Sequence, residues 1–398
     1  MARTFPDGFR WGTATAAHQV EGNNVGCDWW DWEHDPTSGV VEPSGDACDQ
    51  YHRYDDDIAL LAALGFDSYR FSVEWARIEP EEGQVSRAAL DHYRRVCASC
   101  LAHGVEPVVT FHHFTTPRWV TADGGWESPA VVDRFARYCE VTAGALGDLP
   151  GRACTINEPN IVTFMGWVMG MFPPGRTDLD AALVTRDNFL AAHRRAVEAI
   201  KSAQPDLPVG LTLAMSDYQA DPPADADARR QADEARALME DPFLEACRGD
   251  DFLGVQTYSR TRFGPHGMLG PAEGVEVAHL MGYEVWPEAL AATIRRAWDV
   301  TGHVPVLVTE NGLSTTDDTR RIDYVRRALE GVGECLDDGI EVLGYTYWSL
   351  LDNFEWAFGY GPTFGLVAVD RATQRRTVKP SAEWLGRVAR ANALVDGP

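Results

Sequence analysis

Residues 304–312 have the sequence VPVLVTENG, a run of aliphatic and β-branched residues that ends in a carboxylate and then a glycine. The run lacks polar alternation, which predicts a strand buried on both faces, as the strands of a parallel sheet are. A carboxylate such as Glu310 at the end of that strand is costly to bury unless something there uses it. Taken alone, this pattern favours a structural salt bridge or a helix cap.

The same construction occurs in residues 153–159, ACTINEP, where a short apolar run ends in Glu158 and a proline that cannot continue a strand ladder. These two glutamates, far apart in sequence, can meet only if the fold gathers strand ends together. A pair of carboxyl groups about 5–5.5 Å apart is what cleavage of a glycosidic bond by double displacement requires. One group attacks the anomeric carbon and the other protonates the leaving oxygen.

The whole chain alternates predicted strands with amphipathic helical segments, which indicates a parallel sheet with helical crossovers. Eight such units without a linker predict an α/β protein with a single (β/α)8 TIM barrel, forming one catalytic domain over residues 1–398. A doubly wound open sheet is the alternative, but its phosphate-loop glycine pattern is absent after the first strand. The predicted strands are 9–17, 68–74, 106–111, 153–157, 209–214, 252–257, 304–309 and 342–347.

The composition limits the classes of partner. Of 398 residues, 45% are hydrophobic and 24% charged, as in ordinary globular proteins. The net charge of −25 argues against nucleic acids and anionic membranes as partners. No stretch approaches the roughly 18–20 apolar residues of a membrane span, and the N-terminus lacks the apolar core of a signal peptide. We therefore expect a cytoplasmic protein.

No metal site or organic cofactor is expected. Only Cys97 and Cys100 among the eight cysteines form a C-x-x-C pair, and their helical spacing with apolar residues favours core packing. His112 and His113 point to opposite faces of a strand, and no further residue at ligand spacing completes a metal set.

The predicted strand ends carry planar aromatics, amides and carboxylates, and almost no lysine. Sugars present hydroxyls at the ring edge and C–H groups on its face, so such a rim suits them, whereas a phosphate would need cations and glycine loops. Arg70 could form a structural ion pair, or could keep a nucleophilic carboxylate ionised. The rim residues are His18, Gln19, Glu21, Arg70, Glu74, His112, His113, Asn157, Glu158, Gln256, Tyr258, Glu310, Trp348, Asp352, Asn353, Glu355 and Trp356.

Five segments, in order along nearly the whole chain, resemble glycoside hydrolase family 1, the retaining β-glucosidase-type barrels. They are 9–22 (FRWGTATAAHQVEG), 69–80 (YRFSVEWARIEP), 155–159 (TINEP), 309–312 (TENG) and 347–360 (YWSLLDNFEWAFGY). The resemblance implies a small-molecule β-glycoside substrate.

Carried over by position, the resemblance implies that Glu310 is the nucleophile and Glu158 the acid/base. Arg70 and Tyr258 would orient the nucleophile and keep it ionised, while a neighbouring anion would raise the pKa of Glu158. The residues implied to bind the sugar are Gln19, His113, Asn157, Trp348, Glu355, Trp356 and Phe364.

Three positions depart from the family pattern and leave the leaving-group preference open. Phe114 and Asn160 stand where the family usually has tryptophan, and Gln256 stands where it usually has asparagine. Members that act on 6-phosphorylated sugars typically replace the glutamate at position 355 and place a lysine soon afterwards. Glu355 is present here and residues 358–367 contain no lysine or arginine, which predicts neutral glycosides as substrates. A transglycosylase and a catalytically silent sugar-binding barrel are the alternatives, and the oligomeric state is not indicated.

Overall fold

The computed structural model describes residues 3–395 and has a closed β-barrel at its centre. In chain order, the strands of this range are β1 (Arg10–Ala14), β2 (Ser68–Ser72), β3 (Glu106–His112), β4 (Arg152–Asn157), β5 (Val209–Ala214), β6 (Asp217–Ala220), β7 (Phe252–Gln256), β8 (Arg260–Gly264), β9 (Gly267–Met268), β10 (Val306–Glu310), β11 (Val342–Trp348), β12 (Val367–Asp370) and β13 (Arg375–Val378). Eight of them pair in parallel around the barrel in the order β1, β11, β10, β7, β5, β4, β3 and β2, and β2 closes onto β1. The predicted (β/α)8 barrel is confirmed.

Helices connect the strands and cover the outside of the barrel. The α-helices are α1 (Ala17–Val20), α2 (Asp28–His34), α3 (Gln50–Leu64), α4 (Trp75–Ile78), α5 (Arg87–Ala102), α6 (Arg118–Ala122), α7 (Ala130–Leu146), α8 (Pro159–Thr163), α9 (Leu179–Ala203), α10 (Ala226–Met239), α11 (Asp241–Ala246), α12 (Ala289–Thr301), α13 (Asp318–Asp337) and α14 (Pro380–Ala391). A π-helical turn (Phe164–Val168) and 3-10 turns (Gly125–Glu127, Trp356–Phe358) complete them. Within residues 3–395, every helix is too short or too polar to cross a lipid bilayer.

Burial on both faces explains the near-continuous apolar runs of the barrel strands. All five residues of β10 are buried, as are all five of β2 and of β7. The helices show the complementary pattern, with one buried face. In α5 this face includes both thiols of the C-x-x-C pair, Cys97 and Cys100, which are free and buried, as the core-packing prediction required.

Several predicted strand ends were wrong by a few residues, each for a local reason. β10 begins at Val306 rather than Val304; Pro305 has no N–H for the ladder and only its carbonyl oxygen accepts, from Leu253. β2 stops at Ser72, because Glu74 instead caps α4 by accepting the N–H of Ala76.

Two small sheets outside the barrel have no counterpart in the predicted strands. β6, β8 and β9 form a three-stranded sheet beside the C-terminal ends of β5 and β7, and β12 pairs antiparallel with β13 after the last barrel strand. Both lie on loops of the face where the active site of such a barrel is found, so they help to shape that face.

Candidate active site

A cavity of about 240 Å³ opens at the C-terminal ends of the barrel strands. Both glutamates of the predicted pair line it, so the barrel brings together residues that the sequence only placed at two strand ends. Gln19 and Arg70 do not line the cavity, although both were predicted site residues. The predicted residues that line it are His113, Asn157, Glu158, Tyr258, Glu310, Trp348, Glu355, Trp356 and Phe364.

Glu310 is held by one partner on each carboxylate oxygen. Arg70 donates from Nη1 to Oε1 at 2.6 Å, and the hydroxyl of Tyr258 donates to Oε2 at 2.6 Å. Arg70 is 1% exposed, so its ion pair with Glu310 is shielded from water. The two contacts fix the plane of the carboxyl group and favour its ionised form.

Arg70 also organises two polar side chains beside Glu310. Its Nη2 donates to Oδ1 of Asn157 at 2.6 Å, which fixes the amide orientation and turns Nδ2 towards Nε2 of His113 at 3.2 Å. Burial and the Arg70 charge lower the pKa of His113 well below its usual value, so the ring is neutral. With Nε2 accepting, its proton is on Nδ1, which has no hydrogen-bond partner among the described residues.

Glu158 reaches the cavity through an unusual backbone conformation. Its φ of 45° lies in the left-handed region, and Pro159 follows as the first residue of α8. A residue other than glycine is strained there, which is common where a side chain must be aimed at a ligand. The side chain accepts a hydrogen bond from Nε2 of Gln256 at 2.8 Å.

The surroundings of the two glutamates differ in a way that separates their proton affinities. Burial and then the charge of Glu310 raise the pKa of Glu158 well above its usual value. Burial also raises the pKa of Glu310, but the direct Arg70 and Tyr258 contacts oppose that rise. The expectation that Arg70 would keep Glu310 ionised omitted this cost of burial. The proton is therefore held by Glu158 in preference to Glu310.

Glu355 was counted among the carboxylates of the rim, but its surroundings in the structure favour the protonated form at neutral pH. Burial, followed by the charge of Glu310, raises the pKa of Glu355 to about 8. In the unliganded protein it therefore carries a proton at pH 7 and can donate as well as accept a hydrogen bond.

Aromatic rings form a wall beside these polar groups. The His113 ring lies near-parallel to Trp348 and to Trp356, with ring centroids 5.8 and 6.1 Å apart. The His18 ring is also parallel to Trp356, with ring centroids 5.6 Å apart. Gln19 donates to the carbonyl oxygen of Phe354 at 2.8 Å, and its own Oε1 is buried without a partner in the described range.

Several lining residues were not predicted, because all but Ala214, the last residue of β5, come from helices and loops rather than from strand ends. Tyr283 is the most informative, because its hydroxyl is buried without a partner among residues 3–395. Its position in the long loop between β9 and α12 carries no sequence signal. Of the two positions where the family usually has tryptophan, Phe114 lines the cavity and Asn160 does not. Asn160 instead donates to the carbonyl oxygen of Ala214 at 2.8 Å. The unpredicted lining residues are Phe114, Ile161, Met165, Phe172, Ala214, Met281, Tyr283 and Phe358.

One group of three potential metal ligands occurs in the part of the chain that the structure describes, and it lies outside this cavity. It consists of His193, Cys247 and Asp250. Nε2 of His193 is already 3.1 Å from Asp250, and Nδ1 is 2.9 Å from the hydroxyl of Thr155. These contacts account for the group as a buried polar link between β4, α9 and the segment before β7.

A parallel barrel with two carboxyl groups, amides and aromatic rings around one cavity at its strand ends has the construction of a glycoside-cleaving enzyme. The sequence model described as Glycosyl hydrolase family 1 matches residues 1–263 and 273–394. Beta-glucosidase A of Thermotoga maritima is 32% identical over 99% of this chain and 99% of its own. A bifunctional beta-D-glucosidase/beta-D-fucosidase of Bifidobacterium breve is 32% identical over 97% and 98%.

Solved structures agree with these relatives. The crystal structure of the beta-glycosidase BGL167 is 52% identical, covers 99% of both chains and superimposes with a TM-score of 0.91. The family 1 β-glucosidase from Thermotoga maritima superimposes with a TM-score of 0.93 at 30% identity, over 99% of this chain and all of its own. The chain belongs to glycosyl hydrolase family 1, and it is a glycosyl hydrolase.

Proposed function

We propose that this enzyme removes terminal, non-phosphorylated β-D-glycosyl residues with retention of configuration, with Glu310 as nucleophile and Glu158 as acid/base. The observation that carries the proposal is the asymmetry of the two buried glutamates. Glu310 has an arginine and a tyrosine hydroxyl on its two oxygens, whereas Glu158 has, among residues 3–395, only the neutral amide of Gln256. One glutamate is prepared to attack and the other to carry a proton.

In the first step, an oxygen of Glu310 forms a bond to the anomeric carbon while the bond to the leaving oxygen breaks. Glu158 transfers its proton to that oxygen, so the leaving group departs as a neutral alcohol or phenol. The ion pair with Arg70 keeps the attacking carboxylate in place until it is consumed.

In the second step, Glu158 is ionised and takes a proton from water as the water attacks the anomeric carbon. The bond to Glu310 breaks, which restores the starting charges and gives a β-sugar after two inversions. The chain's own carboxyl groups supply both the nucleophile and the proton, so these two reaction steps use no metal or organic cofactor.

The proposed sugar preference is for neutral glucosides, with related sugars such as fucosides tolerated. Two curated relatives support it by name, as a β-glucosidase and as a bifunctional β-glucosidase/β-fucosidase. The lining residues include no lysine or arginine, so the cavity offers no cation to a sugar phosphate. The cytoplasmic location and the single catalytic domain over residues 1–398 stay predictions.

Stereochemistry is the direct test. Proton NMR during early hydrolysis of an aryl β-glucoside should show the β-anomer first, with the α-anomer growing only by mutarotation. Early release of the α-anomer would mean single displacement by water and would overturn the nucleophile role of Glu310.

A further inference from the structure

Gln256 lies between the two catalytic glutamates in the barrel. It ends β7, where it pairs in register with Glu310 of β10 on one side and with Ala214 of β5 on the other. Glu158 follows β4, the next strand beyond β5. The residue of β5 that is level with Gln256 is thus Ala214, whose small side chain leaves room for the Gln256 side chain to pass over β5 towards Glu158.

The Gln256 side chain spans this gap and is held at both ends. Its Nε2 donates to Oε1 of Glu158 at 2.8 Å, and its Oε1 accepts from the hydroxyl of Thr309 at 3.3 Å. Gln256 is 1% exposed, so water does not compete for these contacts. The Gln256 amide also lies close enough to Glu310 to oppose the rise of the pKa of that carboxyl group.

The donor determines which oxygen of Glu158 carries the proton. An amide N–H can only donate, so Oε1 of Glu158 acts as the acceptor and the proton is on Oε2. As that proton leaves, Glu158 becomes a carboxylate, and the hydrogen bond from Gln256 becomes charge-assisted and stronger. The contact therefore stabilises the state after proton transfer more than the state before it, which lowers the barrier.

We propose that Gln256 is a positioning residue that holds Glu158 with Oε2 directed at the leaving oxygen, and that it thereby determines how well this enzyme cleaves poor leaving groups. The proposal rests on the proposed acid/base role of Glu158. Asparagine, the residue that the family resemblance leads one to expect here, is one methylene shorter and would draw the amide back from Glu158.

The test compares two substrates that differ in their need for the proton. Phenyl β-glucoside needs protonation of its leaving group, whereas 2,4-dinitrophenyl β-glucoside hardly does. Gln256→Met keeps the length of the side chain without the amide, and Gln256→Asn keeps the amide without the reach. Both should lower kcat/KM about 10-fold or more for the phenyl substrate and less than about 3-fold for the dinitrophenyl substrate.

The pH profile gives a second, independent readout. Loss of a donor to ionised Glu158 raises its pKa, so the alkaline limb of kcat/KM should move to higher pH in Gln256→Met. A shift to lower pH would mean that Gln256 accepts the proton of Glu158, and would overturn the assignment. If kcat/KM fell equally for both substrates and the alkaline limb of its pH profile did not move, Gln256 would be a packing residue and the proposal would fail.

Controls separate this inference from the proposed function. Gln231→Met makes the same change on α10, where the amide only meets exposed Glu234, and should alter neither readout. Titration with 2,4-dinitrophenyl 2-deoxy-2-fluoro-β-glucoside counts folded, competent sites in each variant. If Glu158 is the acid, Glu158→Gln must lower kcat/KM much more for the phenyl substrate than for the dinitrophenyl substrate. If it does not, the proposed function fails; if it does and Gln256→Met does not, only this inference fails.

Discussion

At the scale of single residues, Arg70 joins Glu310, the proposed nucleophile, to Asn157, whose amide is proposed to bind the sugar. One guanidinium nitrogen contacts Glu310 and the other contacts Asn157, so a displacement of Arg70 would disturb both. Among residues 3–395, the hydroxyl of Tyr258 has a hydrogen bond to Glu310 alone. Substitution of Tyr258 therefore measures more directly than substitution of Arg70 how one hydrogen bond changes the reactivity and the pKa of Glu310.

We expect Tyr258→Phe to lower kcat/KM about 10-fold or more, because a hydrogen bond to a charged group contributes about 1.5–3 kcal/mol. The tyrosine donates to ionised Glu310 and lowers its pKa, so its removal should raise that pKa. The acid limb of kcat/KM, which requires ionised Glu310, should move to higher pH. Tyr218→Phe removes a tyrosine hydroxyl outside the cavity and serves as control. An unmoved acid limb would contradict the role of Tyr258.

Glu355 supports a prediction about phosphorylated substrates. At neutral pH an aryl β-glucoside should exceed its 6-phosphate in kcat/KM by about 100-fold or more, because burying a charged phosphate without a pairing cation costs several kcal/mol and no lining cation offsets it. The pKa of Glu355 is about 8, so this ratio should increase further as pH rises through that value and the side chain ionises.

Glu355→Gln is the matched variant for that measurement, since it keeps the shape of the side chain but cannot ionise. Its ratio of activities should stay flat above neutral pH, where the phosphate is already a dianion. Faster turnover of the 6-phosphate by the native enzyme would contradict the proposed substrate class.

At the scale of elements, the loop that follows Glu310 packs against the end of β11. The N–H of Trp348 donates to the carbonyl oxygen of Asn311 at 3.0 Å. A Cβ atom at Gly312 would collide with the backbone oxygen of Trp348. The glycine is thus required for close approach of two backbones, not only for a turn, and the TENG motif has a packing reason as well as a chemical one.

We expect Gly312→Ala to lower the free energy of unfolding by about 1–3 kcal/mol, the usual cost of overpacking. Activity should also fall, because the collision displaces Trp348 in the cavity wall. Gly144→Ala is the opposite case: Gly144 lies within α7 and has open space around its Cβ position, so alanine should stabilise by about 0.5–1 kcal/mol. Chemical denaturation of both variants, with kcat/KM, makes the comparison. Equal stability of the two would refute the close approach.

At the scale of the whole molecule, several carboxyl groups are buried in a chain of net charge −25. Burial is the first cause in each case: it raises the pKa of Glu74 to about 8 and the pKa values of Asp28 and Glu240 to about 7. An acid with a raised pKa in the folded state stabilises the fold fully below its unfolded pKa. That contribution is lost as pH rises through the folded pKa.

The enzyme should therefore become less stable between about pH 5 and about pH 8, because the folded state retains protons there that the unfolded state has released. The melting temperature across that range is the measurement. Glu74→Gln should flatten the slope, whatever it does to the melting temperature itself, while the same change at exposed Glu245 should not. A stability that increases over this range would contradict the raised pKa values.

The fold and the identity of the glutamate pair could be predicted from the sequence because both depend on local properties. Strands buried on both faces need continuous apolar runs, and a strand-end carboxylate stands out against such a run, as at Glu310 and Glu158. The strand limits were less certain, because a proline or a capping side chain shifts an end by one or two residues. Pro305 and Glu74 did so here.

Only the tertiary structure decided which residues touch across the barrel and what charge they carry. The contact of Gln256 with Glu158 joins residues 98 positions apart, and the burial that raises the pKa of Glu355 comes from walls contributed by many segments. The unpredicted lining residue Tyr283 comes from a loop without periodicity. Local sequence patterns encode secondary structure and burial, whereas distances between strand ends and desolvation of side chains arise only when the barrel closes.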